Sequence, residues 1–433
     1  MTRNRQLLPW MIAFVALVGA AGFRATPGAL VQPLQDEFGW STGTIGFAMS
    51  VNLALYGVTA PFAAALMERF GVRAVTASAM TLIALGSGLT VFMTTSWQLV
   101  MLWGVLVGLG AGSISLGFVA TIGTRWFVRR QGLVTGVLSA GGATGSLVFL
   151  PLVASLAESP AGWRTASVVI AAVALATVPM ILLLFREHPA DFGIPPYGGD
   201  EVVEPEPQSK NAARLAVEGL VKASRSKAFW FLAAGFAICG ATTNGLVATH
   251  FIPAAHDHGM PNVTAAGLLA LIGIFDLVGT ILSGWLTDRF DSRKLLAVYY
   301  ALRGLSLLVL PSVFHDEITG LMLVFVFFYG MDFIATVPPT VALCRIHFGM
   351  SAPIVFGWVF ACHQIGAAIA ATAAGMTRDQ YGAYTPAWYV AGALSIVAVF
   401  LSLRIAGSKV DREPPVPGED RELDVVAAEK ARG

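Results

Sequence analysis

The chain has 433 residues, with 27 lysines and arginines against 26 acids, a formal net charge of +1 and only 12% charged residues. A hydrophobic fraction of 56% and a mean hydropathy of +0.71 exclude a soluble globular chain of this length, and the balanced charge implies no nucleic-acid partner. Cys239, Cys344 and Cys362 each lie in an apolar stretch, so no disulfide framework or metal-ligand spacing is visible, and no cofactor is implied.

A bilayer core about 30 Å thick takes about 20 helical residues to cross. Apolar runs of that length predict twelve spans, at about 10–32, 44–66, 74–93, 98–123, 132–157, 164–185, 228–252, 264–286, 294–312, 319–344, 353–376 and 385–405. Arg3 and Arg5 lead into the first run, which continues to about Val31 without a clear cleavage site. It therefore reads as a span and not as a removed signal. The expectation is an all-α integral membrane protein of two six-helix halves, 1–185 and 228–405. Between them lies a linker, 186–227, and after them a polar tail, 406–433. The linker holds Pro195, Pro196, Pro205 and Pro207, an acidic run and then a basic stretch, and its Leu215 to Ala223 part reads as an amphipathic helix. The charged, proline-containing tail reads as disordered.

Lysine and arginine placement sets orientation. With both termini cytoplasmic, every basic residue falls on the inner side except Arg24 and Arg303, within spans, and Arg164 and Arg378, at outer loops. The outer loops instead carry Asp36, Glu37, Asp257, Asp316 and Glu317. A bacterial inner membrane is the expected setting.

The loop after span 2 reads Glu68-Arg69-Phe70-Gly71-Val72-Arg73, and the loop after span 8 reads Asp288-Arg289-Phe290-Asp291-Ser292-Arg293. Acid, Arg, Phe and Arg recur at a constant offset of 220 residues, which marks a duplicated half. Two halves related by an axis along the membrane normal match a design in which a solute sits between them near the midplane. An acid at a helix end beside arginines can pair across the gap between halves. Glu68, Arg69, Arg73, Asp288, Arg289 and Arg293 are thus candidate gating residues, or simply topology-fixing charges.

This loop pattern resembles the GxLxDRxGxR motif of the major facilitator superfamily. The second copy keeps Gly284 and Asp288, whereas the first has Ala64 and Glu68. The segment entering span 5, Trp126-Phe127-Val128-Arg129-Arg130 through Leu133, Gly136, Ala140 and Gly141, resembles the monocarboxylate-transporter pattern YFxK[RK][RL]xLAxGxAxAG. Gly108-Leu109-Gly110, Pro151 and Gly162-Trp163-Arg164 also look like that family. The second half looks more like bacterial relatives of the oxalate–formate antiporters. Two departures stand out. The family's aromatic opening of span 1 is absent, and Asp276 in span 8 is followed four residues later by Thr280 where animal members carry a carboxylate-binding arginine.

Four formal charges lie within spans: Arg24, Asp276, Arg303 and Asp332. Such charges face a cavity or a partner. Arg24 lies near a basic residue of the family's first span and is a candidate anchor for an anion, since its planar fork can bond both carboxylate oxygens. Asp276 is a candidate to take up a proton, or a fixed partner for Arg303 or another donor. Arg303 pairs with Asp276 or Asp332, or is itself the displaced clamp. Asp332 precedes Pro338-Pro339, which mark a bend in span 10. His363 and Gln364 form a polar patch in span 11, and Asn52 and Tyr56 share a face of span 2; all four are candidate substrate contacts, with Asn244 and His250 as further candidates. His256-Asp257-His258 lacks a third metal ligand and reads as a solvated loop.

The resemblance implies a monomeric secondary transporter of a small organic anion, a monocarboxylate, driven by protons or a counter-anion. An exporter of amphipathic compounds on the same fold remains the alternative. No GxxxxGK[ST] run, HExxH pair or catalytic triad spacing is present, so neither ATP use nor an enzyme is expected.

Overall fold

The computed structural model describes residues 2–40, 42–158, 162–202 and 211–406. Within its helices, the side chains of residues 2–8, 22–32, 42–43, 146, 150–151, 154, 157–158 and 262 lie outside the description, as does the 407–433 tail. Inside hydrocarbon every backbone N–H and C=O needs an internal partner, so apolar runs of this length fold as helices. Among the described residues no strand forms beyond an isolated bridge between Phe127 and Tyr197.

The first half holds α1 (Thr2–Phe38), α2 (Thr42–Phe70), α3 (Val72–Leu89), α4 (Ser96–Trp126), α5 (Gln131–Glu158) and α6 (Gly162–Leu184). The second half holds α7 (Lys227–Asp257), α8 (Asn262–Thr287), α9 (Ser292–Val309), a broken α10 (Gly320–Asp332, then Val337–Phe348), α11 (Ala352–Tyr381) and α12 (Thr385–Arg404). Side chains such as Phe92, Leu183, Val263 and Phe400 stand exposed on its outside. In a soluble protein this would be an aggregation surface; here it is the lipid contact.

The helices pack twice in the same pattern. In the first half α1 lies on α5, α2 on α4, and α3 on α6; in the second α7 lies on α11, α8 on α10, and α9 on α12. Two of the pairings that join the halves, α5 with α8 and α11 with α2, exchange under the same relation. The structure is therefore two pseudo-symmetric bundles, as the duplicated loop predicts.

The halves close on one face, the face that bears the linker. There Gly132 and Gly284 meet backbone to backbone, and a side chain at Gly136 would put its Cβ 2.6 Å from the Thr280 carbonyl. At the other joint, Gly357 of α11 sits against Pro61 of α2, where a Cβ would lie 2.6 Å from the proline Cα. The linker helix, Ala212–Ser224, is capped by Asn211, whose side chain accepts the Arg214 N–H at 3.1 Å. It lies under this second joint: Ala212 and Ala216 pack with Ala64 and Ala65 of α2 and Ile354 of α11, and Trp358 Nε1 donates to the Ala216 carbonyl at 3.0 Å. The predicted amphipathic helix thus spans both halves.

On the opposite face the ion pairs stay within a half. Arg164 binds Glu37 at 2.6 Å, joining α6 to α1, and Arg378 binds Asp257 at 2.6 Å, joining α11 to α7. These are the two arginines that break the charge rule, and each has an acid as partner. Arg164 holds the Glu37 carboxyl below its usual range, as Arg378 does for Asp257.

Gly136→Leu is expected to wedge α5 from α8, because overpacking of a close contact costs about 1–3 kcal/mol. Spin labels placed on α5 and α8 at the linker face should then report a longer separation than in the parent protein.

Candidate functional site

A cavity of about 70 Å³ lies between the halves, walled by α1, α2, α4, α5, α7, α10 and α11. Irregular backbone places its polar side chains. Helix α4 is wide-wound over Val100–Val107 and breaks at Ile114 and Ser115, and α7 is wide-wound over Ala241–Val247. These turns bring Ser115 and Asn244 to the wall, beside Ser139 of α5 and Tyr56 of α2. Wide turns of this kind recur at functional sites because they re-aim side chains within a continuous helix.

The break in α10 shapes the opposite wall, with Phe333, Ile334, Thr336 and Val337. Pro338 and Pro339 do not bend one helix. They begin a second one, at positions where the missing proline N–H has no partner to lose. The backbone groups freed by the break are taken up by buried charges. Asp276 Oδ1 accepts the Ile334 N–H at 2.9 Å and the Thr280 hydroxyl at 2.9 Å. Arg303 donates to the Asp332 carbonyl at 2.7 Å and the Phe333 carbonyl at 3.2 Å, and its Nε meets Asp332 Oδ2 at 2.6 Å. Asp332, not Asp276, is therefore the carboxylate bonded to Arg303, and Asp276 is held by Thr280 at the position where the resemblance would place an arginine.

Arg303 is fully buried, yet only one layer behind the cavity. Its Nη1 lies 2.9 Å from Cys239 Sγ, which in turn lies 3.2 Å from the Thr336 hydroxyl, and Cys239 and Thr336 both line the space. Sequence reading missed this relay, since a lone cysteine in an apolar run gives no signal of what lies behind it.

His363 and Gln364 line the cavity together with Tyr56. The His363 ring packs against Phe236 and Phe360, at centroid distances of 4.8 and 5.8 Å. Asn52 does not reach the wall; its amide donates to the Trp103 carbonyl at 2.8 Å, within the wide-wound part of α4. His250 also lies off the wall, its Nε2 2.9 Å from the Ala371 carbonyl. Arg24 falls in α1 among the residues whose side chains are outside the description. Ser115 and Ser139, absent from the candidates read from sequence, are buried on the wall with hydroxyls that have no hydrogen-bond partner among the described residues.

The duplicated loops behave unlike one another. Asp288 reaches across to the other half, where its two carboxylate oxygens accept the Gly132 N–H at 2.7 Å and the Leu133 N–H at 2.9 Å, capping α5. An acid there satisfies orphan amides and meets the positive end of the helix dipole. Glu68 stays within its own half, 2.8 Å from Arg125. Glu187 of the linker caps α3 through the Val72 and Arg73 amides, at 2.6 and 2.9 Å. Gly71, at φ +86°, leaves room there: a Cβ would lie 2.5 Å from the Glu187 carboxylate. Arg69 stacks on Phe70 and Arg289 on Trp285, while Arg293 binds Asp291 at 2.6 Å. Cross-half pairing of acids with arginines is not what the described residues show; the crossing bond runs from an acid to a helix end. In the outer run His256-Asp257-His258, Asp257 is taken by Arg378 and His258 stacks on Phe314.

A profile of the Major Facilitator Superfamily matches residues 12–352. Monocarboxylate transporter 11 of Homo sapiens is 27% identical over 407 residues, covering 90% of this chain and 82% of that protein. The uncharacterized MFS-type transporter YcxA of Bacillus subtilis (strain 168) is 25% identical over 396 residues, covering 88% and 91%. Among solved structures, a variant of the E. coli fucose:proton symporter FucP aligns with a TM-score of 0.64 at 17% identity, over 92% of this chain and 100% of that one. The proton:xylose symporter XylE bound to 6-bromo-6-deoxy-D-glucose aligns at 0.69 with 14% identity, over 94% and 97%. At these identities the two structures speak for the fold.

Two outcomes follow from the buried charges and the cap. Arg303→Met leaves a buried carboxylate and two carbonyls without their donor, so stability should fall by about 3–5 kcal/mol, read as a lowered unfolding midpoint. Asp288→Ala removes a cap worth about 0.5–2 kcal/mol, so amide exchange at Gly132 and Leu133, followed by mass spectrometry, should quicken.

Proposed function

The chain belongs to the Major Facilitator Superfamily, and on that premise we propose that it carries a small organic anion, a monocarboxylate, by alternating access driven by proton symport or anion exchange. It is a multi-pass membrane transporter and not an enzyme. The observation that supports the substrate class is the small cavity between the halves, with Tyr56, Ser115, Ser139, Asn244, His363 and Gln364 on its wall. One water site needs roughly 10–15 Å³ on this scale. A space of about 70 Å³ suits a solute of a few heavy atoms, whereas an exporter of amphipathic compounds calls for a wider, aromatic-rich chamber. The Ser115 and Ser139 hydroxyls, without a hydrogen-bond partner among the described residues, support this reading as donors a carboxylate could accept from. Arg24, one helical turn beyond Ala20 of the wall, is retained as its cationic anchor.

Alternating access assigns roles to the two joints. Closure at α2–α11 and α5–α8 shuts the linker face; in the opposite state these joints part and the far ends of the bundles come together. Asp288, Arg289, Arg293, Glu68, Arg69 and Arg73 belong to this gate, with Asp288 as its crossing bond. By the positive-inside rule the linker face is cytoplasmic, with both termini inside and a bacterial inner membrane as the setting. The monomer is retained as the transporting unit, since the cavity lining lies within one chain.

Purified protein in liposomes should take up a labelled short acid saturably from a panel of formate, lactate, pyruvate and oxalate. Gln364→Leu should raise the KM for that acid about tenfold, as loss of one hydrogen bond to a charged group does. Silence for every acid, with trans-anion loading also without effect, would sink the anion reading.

A further inference from the structure

The linker helix buries one side and leaves the other open. Ala212, Ala216 and Ala223 face the bundle, where the helix meets α2, α11 and the start of α7. The side turned away carries Val217 and Val221, each 48% exposed and about one helical turn apart. Beside them stand Arg214, Lys222 and Arg225, with Lys227 just past the helix end, all exposed. Arg214 is bound to Glu218 at 2.6 Å, whereas Lys222, Arg225 and Lys227 have no ion pair among the described residues. The surface is thus an apolar stripe edged by three uncompensated cations.

The chain leaves the bundle for the last time near this surface. Helix α12 packs along α7, and the linker helix leads into α7 through the Ser226 cap. One residue past α12, the Ile405 carbonyl accepts a bond from Arg293 Nη1 at 3.3 Å, which fixes the exit at the linker face. From there the sequence runs through Pro414, Pro415 and Pro417 to an acidic, partly apolar stretch at 419–429. That stretch sets Glu419, Asp420, Glu422, Asp424 and Glu429 against Arg421 alone, with Leu423, Val426 and Ala427 at helical spacing. From Ala406 to Glu419 the chain can extend to about 40 Å, whereas the linker helix, at 13 residues, is about 20 Å long. The other acidic run nearby, Asp200 to Glu206, enters at the Asn211 end of the helix, away from Lys222, Arg225 and Lys227.

We infer that segment 419–429 docks on the open side of the linker helix, its acids against Lys222, Arg225 and Lys227 and its apolar residues on Val217 and Val221, as a strap over the closed linker face. The linker helix touches α2 of one half and α11 of the other. A strap running from α12 across it adds to what must part before that face opens. The covalent tether keeps the segment at a millimolar effective concentration, so a weak contact is enough to hold it. The inference concerns the gate and does not depend on which solute passes.

The experiment uses full-length protein in lipid nanodiscs with Val221→p-benzoylphenylalanine, a photo-cross-linker, and maps the products by mass spectrometry. Cross-links within one chain to residues 419–429 are expected. Reversing two cations, in Lys222→Glu with Arg225→Glu, should cut that yield about fivefold, and adding Glu422→Lys with Asp424→Lys should restore it. High salt should cut the yield in the same direction, because the facing charges are exposed. Products with lipid, with residues 200–206 or with a second copy, in place of 419–429, overturn the docking. Spin labels on α5 and α8 at the linker face then read the strap itself. Deleting 419–433 should raise the population with the longer separation about fivefold. An unchanged distance distribution overturns the strap even where the cross-link forms. None of these readouts requires transport of an acid, so failure of the anion reading would leave them intact.

Discussion

A helix broken in the middle of a membrane has to be repaired by the protein around it, because no water is at hand for the amides and carbonyls that the break sets free. In α10 the repair is done by charge. Asp276 takes the freed Ile334 amide, and Arg303 takes the carbonyls of Asp332 and Phe333. Each of these charges is costly in hydrocarbon, and each is held in place by the backbone it satisfies. The break in turn sets the curve of the cavity wall. The buried charges, the irregular backbone and the cavity are one feature, and altering any of them disturbs the other two.

The pseudo-symmetry explains where the halves meet but not how they hold. Both joints follow the same exchange of helices, and both depend on small residues that let backbones touch, at Gly132 and Gly284 on one side and at Gly357 on the other. The fastenings differ. One joint is bonded from an acid to a helix end, Asp288 to α5. The other is spanned by the linker helix and the Trp358 bond. The linker belongs to neither half, so duplication could not have copied it. It covers one joint, and the equivalent acid, Glu68, turns inward to Arg125.

Charge placement also explains the face opposite the linker. Arg164 and Arg378 look anomalous in a count of basic residues, but each is bound to an acid at a neighbouring helix end. Such exposed pairs contribute little to stability. Both stay within a half, which leaves the two bundles unfastened to each other by ion pairs on that face among the described residues.

The sequence by itself determined the architecture. Runs of about 20 apolar residues admit only helices across a bilayer, and the loop repeat at Glu68 and Asp288 declares the duplication. It also brought out the buried charges, since a charge in an apolar run is visible without any structure. Tertiary structure alone decided their partners. Arg303 had two candidate acids, Asp276 and Asp332, and nothing in the order of residues ranks them; the choice depends on how α8, α9 and α10 cross. Asn52 and Tyr56 share a helix face in sequence, yet the wide turn of α4 draws Asn52 to Trp103 and leaves Tyr56 at the cavity. Ser115, Ser139 and Cys239 carry no pattern at all, because a small polar residue in a span gains its meaning from the neighbours that leave it a bond to make. Local sequence fixes hydrophobicity and period, whereas a site depends on contacts between helices far apart in the chain.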